Sequence, residues 1–309
     1  MDNITANQSQ CIFVDYTSRR RIFLFLYLGI ILMAIPANLF FLYVSWRHIR
    51  QKNELGVYLF NLALSDLTFT AGLALWLDYL WSGAWTHGGY MCLVSVYSLF
   101  TNFYTSHAML CCVAVNRYLA VAHPLKYTSL RTIWMAALVS VGIWGLVLCF
   151  NASTIRWEDS YFEGNVSMCF DNFMPLSESM VRANVLRFTL GFFTPLSVAM
   201  FATWGTCLAV KTNQTIKEEE RRRIMKLLAM ILVSVIICFG PAHVMMLLRM
   251  LVEDCENVQW YLYCYKISTI VSSLNCLADP FIYCFITPTG KSNISMLLDF
   301  FSRQTEGER

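Results

Sequence analysis

Residues 22–46 read IFLFLYLGIILMAIPANLFFLYVSW, 25 residues without one charged side chain. A helix needs roughly 20 mainly apolar residues to cross the hydrocarbon of a bilayer. This run supplies them, with Arg19, Arg20 and Arg21 on one flank and Arg47 and Arg50 on the other. Six further runs have the same character: Leu55–Leu77, Met91–Val115, Thr132–Ile155, Phe188–Val210, Leu227–Leu248 and Ile267–Ile286. Helices are the expected form, because a lone segment in lipid must satisfy its own backbone hydrogen bonds. Buried helices of a large soluble protein do not repeat such runs so regularly. The reading is an all-α, seven-transmembrane bundle in three parts. These are an extracellular N-terminus (1–21), the membrane domain (22–288), and a membrane-surface helix with a short cytoplasmic tail (289–309).

Composition agrees. Of the 309 residues 57% are hydrophobic and 14% charged, against about 25% charged in soluble proteins. The charge is concentrated between the apolar runs. A net charge of +3 gives no basis for a nucleic-acid partner. The 12 cysteines are scattered, with no C-x-x-C pair, which excludes a disulfide-built secreted fold. The polar opening Met1–Gln10 lacks the pattern of a cleaved leader, so the first span is expected to act as its own insertion signal.

Lysine and arginine in short loops set orientation. Arg47, Arg50 and Lys52 follow the first span. Arg117, Lys126 and Arg131 lie between the third and fourth, and Lys211, Lys217, Arg221, Arg222, Arg223 and Lys226 between the fifth and sixth. Those loops should be cytoplasmic. The opposite side carries Asp78, Glu158, Asp159, Glu163, Asp171, Glu178, Glu253, Asp254 and Glu256. The N-terminus is then extracellular, although Arg19–Arg21 oppose this, and the expected location is the plasma membrane. The N-x-S/T sites at Asn3, Asn7 and Asn165 fall outside as glycosylation candidates, while those at Asn213 and Asn293 face inward.

Asp66 and Asp279 are the acids deep within the spans. An ionised carboxylate in hydrocarbon is costly, so both should face the bundle interior. With Asn102, Ser106 and Asn275 they form a candidate sodium site or a proton-linked pair; Asn38 is a further polar neighbour. The alternative is a satisfied polar network that only positions helices. If the two acids share one site, one of them should hold its proton more tightly than a free carboxyl. Pro36, Pro195, Pro241 and Pro280 lie inside spans, where each removes a backbone hydrogen bond. Pro241 and Pro280 are the candidate hinges.

In this order the motifs resemble the rhodopsin-like (class A) G-protein-coupled receptors over residues 22–301. They are Asn38, Asp66 in LALSD, Cys92, Asn116-Arg117-Tyr118, Trp144, Pro195, Cys238-Phe239-Gly240-Pro241 and Asp279-Pro280-Phe281-Ile282-Tyr283. Within that class the chain resembles the proton-sensing group, the ovarian-cancer-associated receptor and its relatives. That resemblance rests on NELGVYL (53–59), RYLAVAHPL (117–125) and LNCLADP (274–280). It implies a receptor that passes an extracellular signal to a heterotrimeric G protein. It also implies a bridge from Cys92 to Cys169 and a second from Cys11 to Cys255, with Cys264 able to compete. Arg117 would be the inner switch, with Tyr118, Phe239, Pro241, Pro280 and Tyr283 as parts of the activation machinery.

The departures from the family pattern are informative. Asn116 stands where an aspartate usually holds the neighbouring arginine, which predicts a weaker inactive-state restraint and raised basal signalling. Histidine is the usual titrating group at physiological pH, yet the chain has five, at 48, 87, 107, 123 and 243. Tyr16, Arg19 and Lys266 occupy places where relatives carry histidine, and Val147 the place of a span-four glutamate. The expectation is high constitutive activity with a blunted pH response. The alternative is that Asp66, Asp279, His87, His243 and the outer carboxylates still read protons. A second functional class is a receptor for a lysolipid or other small anionic ligand. That ligand would sit between spans three, five, six and seven, with Arg182, Arg187, Arg249 and Lys266 near its head group; those cations can equally pair with the outer acids.

On the inner side, Glu218, Glu219 and Glu220 precede Arg221, Arg222 and Arg223 at i,i+4 spacing, which predicts a helical extension of span six. Ile294, Leu297, Leu298 and Phe301 form an amphipathic pattern expected to lie on membrane lipids. Ser302 and Thr305 are the late phosphate acceptors, so arrestin recruitment through the tail is expected to be weak. No repeat halves suggest a transporter. No metal cluster or nucleophile–base set suggests an enzyme, and no cofactor is expected.

Overall fold

The computed structural model describes residues 17–155, 169, 178–213, 216–251 and 255–286; for 17–19, 255–259 and 283–286 it describes the backbone only. Seven helical rods account for nearly all of these residues. They are α1 (Thr17–Arg50), α2 (Leu55–Ser82), α3 (Gly88–Ala122), α4 (Ile133–Thr154), α5 (Glu178–Thr212), α6 (Glu218–Leu251) and α7, in two segments, Cys255–Ser273 and Asn275–Ile286. Each apolar run lies within or nearly coincides with one rod. Most rods continue past the apolar run into polar sequence, because a helix leaving the membrane keeps its backbone bonds until a capping residue stops it. Gly83, at φ 83°, does so for α2.

By length and apolar composition α1, α2, α4, α5 and α6 are each able to cross a membrane. α3 and α7 are more polar, and the packing explains why. α3 packs against α2, α4, α5 and α6, and it buries Thr101, Asn102, Thr105, Ser106, His107 and Asn116. α7 buries Ser268, Ser272, Ser273, Asn275 and Asp279. Polar groups are affordable there because other helices, not lipid, face them. The outer rods show the opposite pattern: Phe25, Leu32, Trp134, Leu146, Phe201 and Trp204 are exposed, as expected of a surface whose solvent is hydrocarbon.

α1 packs on α2 and α7, and α6 on α5 and α7, so the rods close into a bundle. Its core runs through Phe41, Leu59, Leu62, Phe100, Phe103, Met109, Ile231 and Phe239. The α1–α2 crossing depends on Gly56, where a Cβ would stand 2.9 Å from the Ser45 carbonyl oxygen. Two of the four prolines coincide with widened turns. α5 widens to π-helical turns over Arg187–Phe193, just before Pro195, and α6 does so over Val235–Phe239, just before Pro241. Such wide turns absorb the register change that a missing N–H imposes. α7 breaks at Leu274, five residues before Asp279. At the inner end α6 begins at Glu218, with Glu218–Arg222 paired at 3.1 Å and Glu219 paired with Arg223.

Candidate functional site

The polar residues singled out in α2, α3 and α7 meet in one buried cluster. Asp66 is fully buried, and its Oδ1 accepts from Asn102 Nδ2 at 2.9 Å and from Ser106 Oγ at 3.5 Å. Asn275 Nδ2 donates to Asn102 Oδ1 at 3.5 Å, and Asn38 Nδ2 to the Cys276 carbonyl at 2.7 Å. Pro280 has no N–H to give the Cys276 carbonyl four residues earlier, which leaves that carbonyl for Asn38. Asp279 is 2% exposed and lies within electrostatic reach of Asp66. Asp66 Oδ2 and both oxygens of Asp279 have no N–H or O–H donor among the described residues. Two carboxylates so arranged can share a proton or ligate a cation. Among the described residues no group of three histidine, cysteine, aspartate or glutamate side chains offers a wider metal site.

At this level and outward of it, the interior between α3, α5 and α6 is filled by rings. His107 stacks on Phe239 with planes 2° apart, and His243 on Phe192 at 4.9 Å. His243 Nδ1 meets the Phe239 carbonyl at 2.7 Å, and its Nε2 is buried without a partner among the described residues. The Tyr104 hydroxyl is also buried and without a partner among the described residues. Arg187 lies over the Phe100 ring at 4.3 Å and donates to the Thr154 carbonyl and to Asn184. A cavity among the described residues lies between α1, α2, α3 and α7, with Lys266 in its wall. Arg249 sits at the outer end of α6 and does not line this cavity; Arg182 pairs with Glu178.

At the outer ends, Cys92 and Cys169 are bonded, tying the second outer loop to α3. His87 Nε2 meets Asp78 Oδ2 at 2.8 Å beside Trp85. Cys11, Asn3, Asn7 and Asn165 lie outside the described residues, as do Ile294, Leu297, Leu298, Phe301, Ser302 and Thr305. So do the side chains of Cys255 and Tyr283.

At the inner end Asn116 Nδ2 donates to Glu54 Oε1 at 3.3 Å. The same Glu54 oxygen takes Arg131 Nη2 at 3.4 Å. Arg117 has no carboxylate at ion-pair distance among the described residues, and its Nε is buried without a partner. Tyr118 packs on α5, its ring so close that a Cβ on Gly205 would stand 2.5 Å from it. Glu54 was not singled out from sequence. Its signal was an acid at the start of α2, within an inner loop otherwise basic.

The family model for seven-transmembrane receptors of the rhodopsin family matches residues 37–283. The chain is 37% identical to human G-protein coupled receptor 65 over 307 residues, covering 94% of this chain and 90% of that receptor. It is 34% identical to human G-protein coupled receptor 68 over 301 residues, at 96% and 82% coverage. Against human lysophosphatidic acid receptor 6 the identity is 28% over 305 residues, at 95% and 88%. Motifs, helical bundle and relatives agree: this chain belongs to the rhodopsin family of seven-transmembrane G-protein-coupled receptors, multi-pass membrane proteins and not enzymes, and resembles the proton-sensing group.

Proposed function

We propose that the chain resides in the plasma membrane with its N-terminus outside and relays a proton-linked extracellular signal to a heterotrimeric G protein. The observation that carries the proton-linked reading is the Asp66–Asp279 pair: two buried carboxylates in electrostatic reach, with three of their four oxygens lacking N–H or O–H donors among the described residues. Such a pair is incomplete without a proton or a small cation, and it joins α2, α3 and α7. His87 with Asp78 is an outer titratable pair, and His243 is a buried one-sided base. High basal activity is part of the same reading. It is supported by Arg117, which no carboxylate restrains among the described residues while Asn116 is engaged with Glu54. The test is G-protein dissociation measured from about pH 8 to about pH 6, the range in which histidine titrates, on wild type, Asn116→Asp and Lys266→His. A high basal output with a shallow pH response in the wild type is expected. A full sigmoid centred near neutrality on a low baseline would overturn the blunted, constitutive form.

A second reading, a receptor for a lysolipid or other small anionic ligand, is favoured by one observation: the apolar cavity whose wall contains Lys266.

A further inference from the structure

The chain between α3 and α4 carries three aliphatic hydroxyls, and the structure gives them different standing. Thr132 is committed. Its Oγ1 accepts from the Met135 N–H at 3.3 Å, which caps α4, and donates to the Ser129 carbonyl at 3.5 Å. Thr128 and Ser129 are exposed on one short helical turn, Thr128–Leu130. Their surroundings separate them. Ser129 has Lys126 three residues before it, Leu130 directly after it and Arg131 two residues after it, whereas Thr128 is followed by a polar residue. Lys126 and Leu130 are themselves exposed. A serine so flanked suits a protein kinase whose peptide groove is acidic on both sides of the acceptor and apolar just beyond it. Charge patterns of this kind are how kinases choose substrates.

The neighbourhood also holds a cation with donors to spare. The ion pair of Arg131 with Glu54 runs through Nη2 at 3.4 Å, longer than the roughly 2.7–2.9 Å of a well-formed charge-assisted bond. Arg131 Nε is buried and has no partner among the described residues. Glu54 Oε1 is meanwhile shared with Asn116 Nδ2 at 3.3 Å. Arg131 lies two residues from Ser129, within about 7 Å along the chain. A phosphoserine carries a charge of about −2 and three strong acceptor oxygens. It can take a guanidinium in a two-pronged contact, and it outweighs the single charge of a glutamate.

We propose that Ser129 is a phosphorylation site for a kinase selective for basic flanks, and that its phosphate draws Arg131 away from Glu54. In the transfer Ser129 Oγ bonds to the γ-phosphorus of ATP and the bond from that phosphorus to the β-phosphate bridging oxygen breaks. ADP leaves, and the hydroxyl proton passes to the kinase's carboxylate base. The Glu54–Asn116 bond stays, so α2 and α3 remain tied while the chain entering α4 is released. The site rests on the orientation proposed above, which places this loop on the ATP side of the membrane. It gives the inner face a control that acts from inside the cell, separate from the extracellular signal.

The test uses the purified full chain in phosphatidylcholine nanodiscs. Both faces meet the added kinase there, so a failure is a failure of the site and not of the orientation. The probe is the catalytic domain of protein kinase C, which favours such basic flanks, with radiolabelled ATP and mass-spectrometric mapping of the phosphate. Label on Ser129 is expected, lost in Ser129→Ala and kept in Ser129→Thr. Lys126→Gln should slow it by about tenfold, the scale of one charge-assisted contact. Release of Arg131 is read by heat. Glu54→Gln should lower the melting temperature of the unmodified chain, and that loss should vanish once the chain is phosphorylated. No label on the wild type, label on Thr128 instead, or a Glu54→Gln effect that is the same before and after phosphorylation would overturn the proposal.

Discussion

The side-chain amide of Asn116 at the inner end of α3 donates to Glu54 Oε1 at the start of α2, 3.3 Å away. That bond changes what the loss of an aspartate at 116 means. The inner end of α3 is still tied to a carboxylate, but the carboxylate stands on another helix and is shared with Arg131 at 3.4 Å. α2, α3 and the chain entering α4 are thus stitched together, while Arg117 is left outside the stitch.

An aspartate at 116 would face Glu54 with like charge and turn to Arg117 instead. Asn116→Asp should therefore lower basal G-protein dissociation, by about three- to tenfold at matched surface expression, the scale of a modest, half-exposed ion pair. Unchanged basal output would count against any role of this position in restraint.

Glu54→Gln keeps the shape but removes the charge that Arg131 meets. Glu54 is largely buried and Arg131 less so, so the expected loss of thermal stability is small, about 1 kcal/mol or less. The Asn116→Asp change should then act more weakly in the Glu54→Gln background, since an amide at 54 no longer repels an aspartate at 116 and can donate to it. Simple additivity of the two would show that the residues are not coupled.

Asp66→Asn and Asp279→Asn each leave one carboxylate in the α2–α3–α7 cluster. Either should abolish sodium-dependent thermal stabilisation of the purified chain and flatten what pH response it has. Retention of both effects in both variants would place the cation and proton chemistry elsewhere.

Lys266→His replaces the lysine amine by an imidazole that titrates near about pH 6.5 when unperturbed. Above that pH the variant lacks the cation, and below it the cation returns. Basal signalling should fall at alkaline pH and rise on acidification, giving a steeper curve than wild type in the same dissociation assay.

Gly205→Ala would put a Cβ 2.5 Å from the Tyr118 ring. Overpacking of this kind costs about 1–3 kcal/mol. A lower melting temperature is expected, together with altered coupling, because Tyr118 must leave its seat against α5. Normal melting with normal coupling would mean that the ring has a second, equally good position.

Much of this was legible along the chain. Each of the seven rods coincides with a run whose apolar length is set by the bilayer, and lipid permits no other backbone solution. Asp66 and Asp279 stood out because carboxylates are rare in such runs, and Pro195 and Pro241 because a missing N–H must show in the helix, as the two π-helical turns do. The i,i+4 order of Glu218–Arg222 predicted an inner helix extension for the same local reason.

What depended on tertiary structure was every relation between groups far apart in sequence. That Asn116 reaches Glu54 across 62 residues follows from how α2 and α3 cross. That Tyr104, His107, Phe192 and His243 meet between α3, α5 and α6 while Phe23, Leu73 and Lys266 line a cavity between other helices follows from how rings and rotamers fill the gaps between helices. Local hydrophobicity and backbone chemistry determine which segments become membrane helices; the rotation of each helix about its axis determines which side chains meet, and long-range packing sets that rotation.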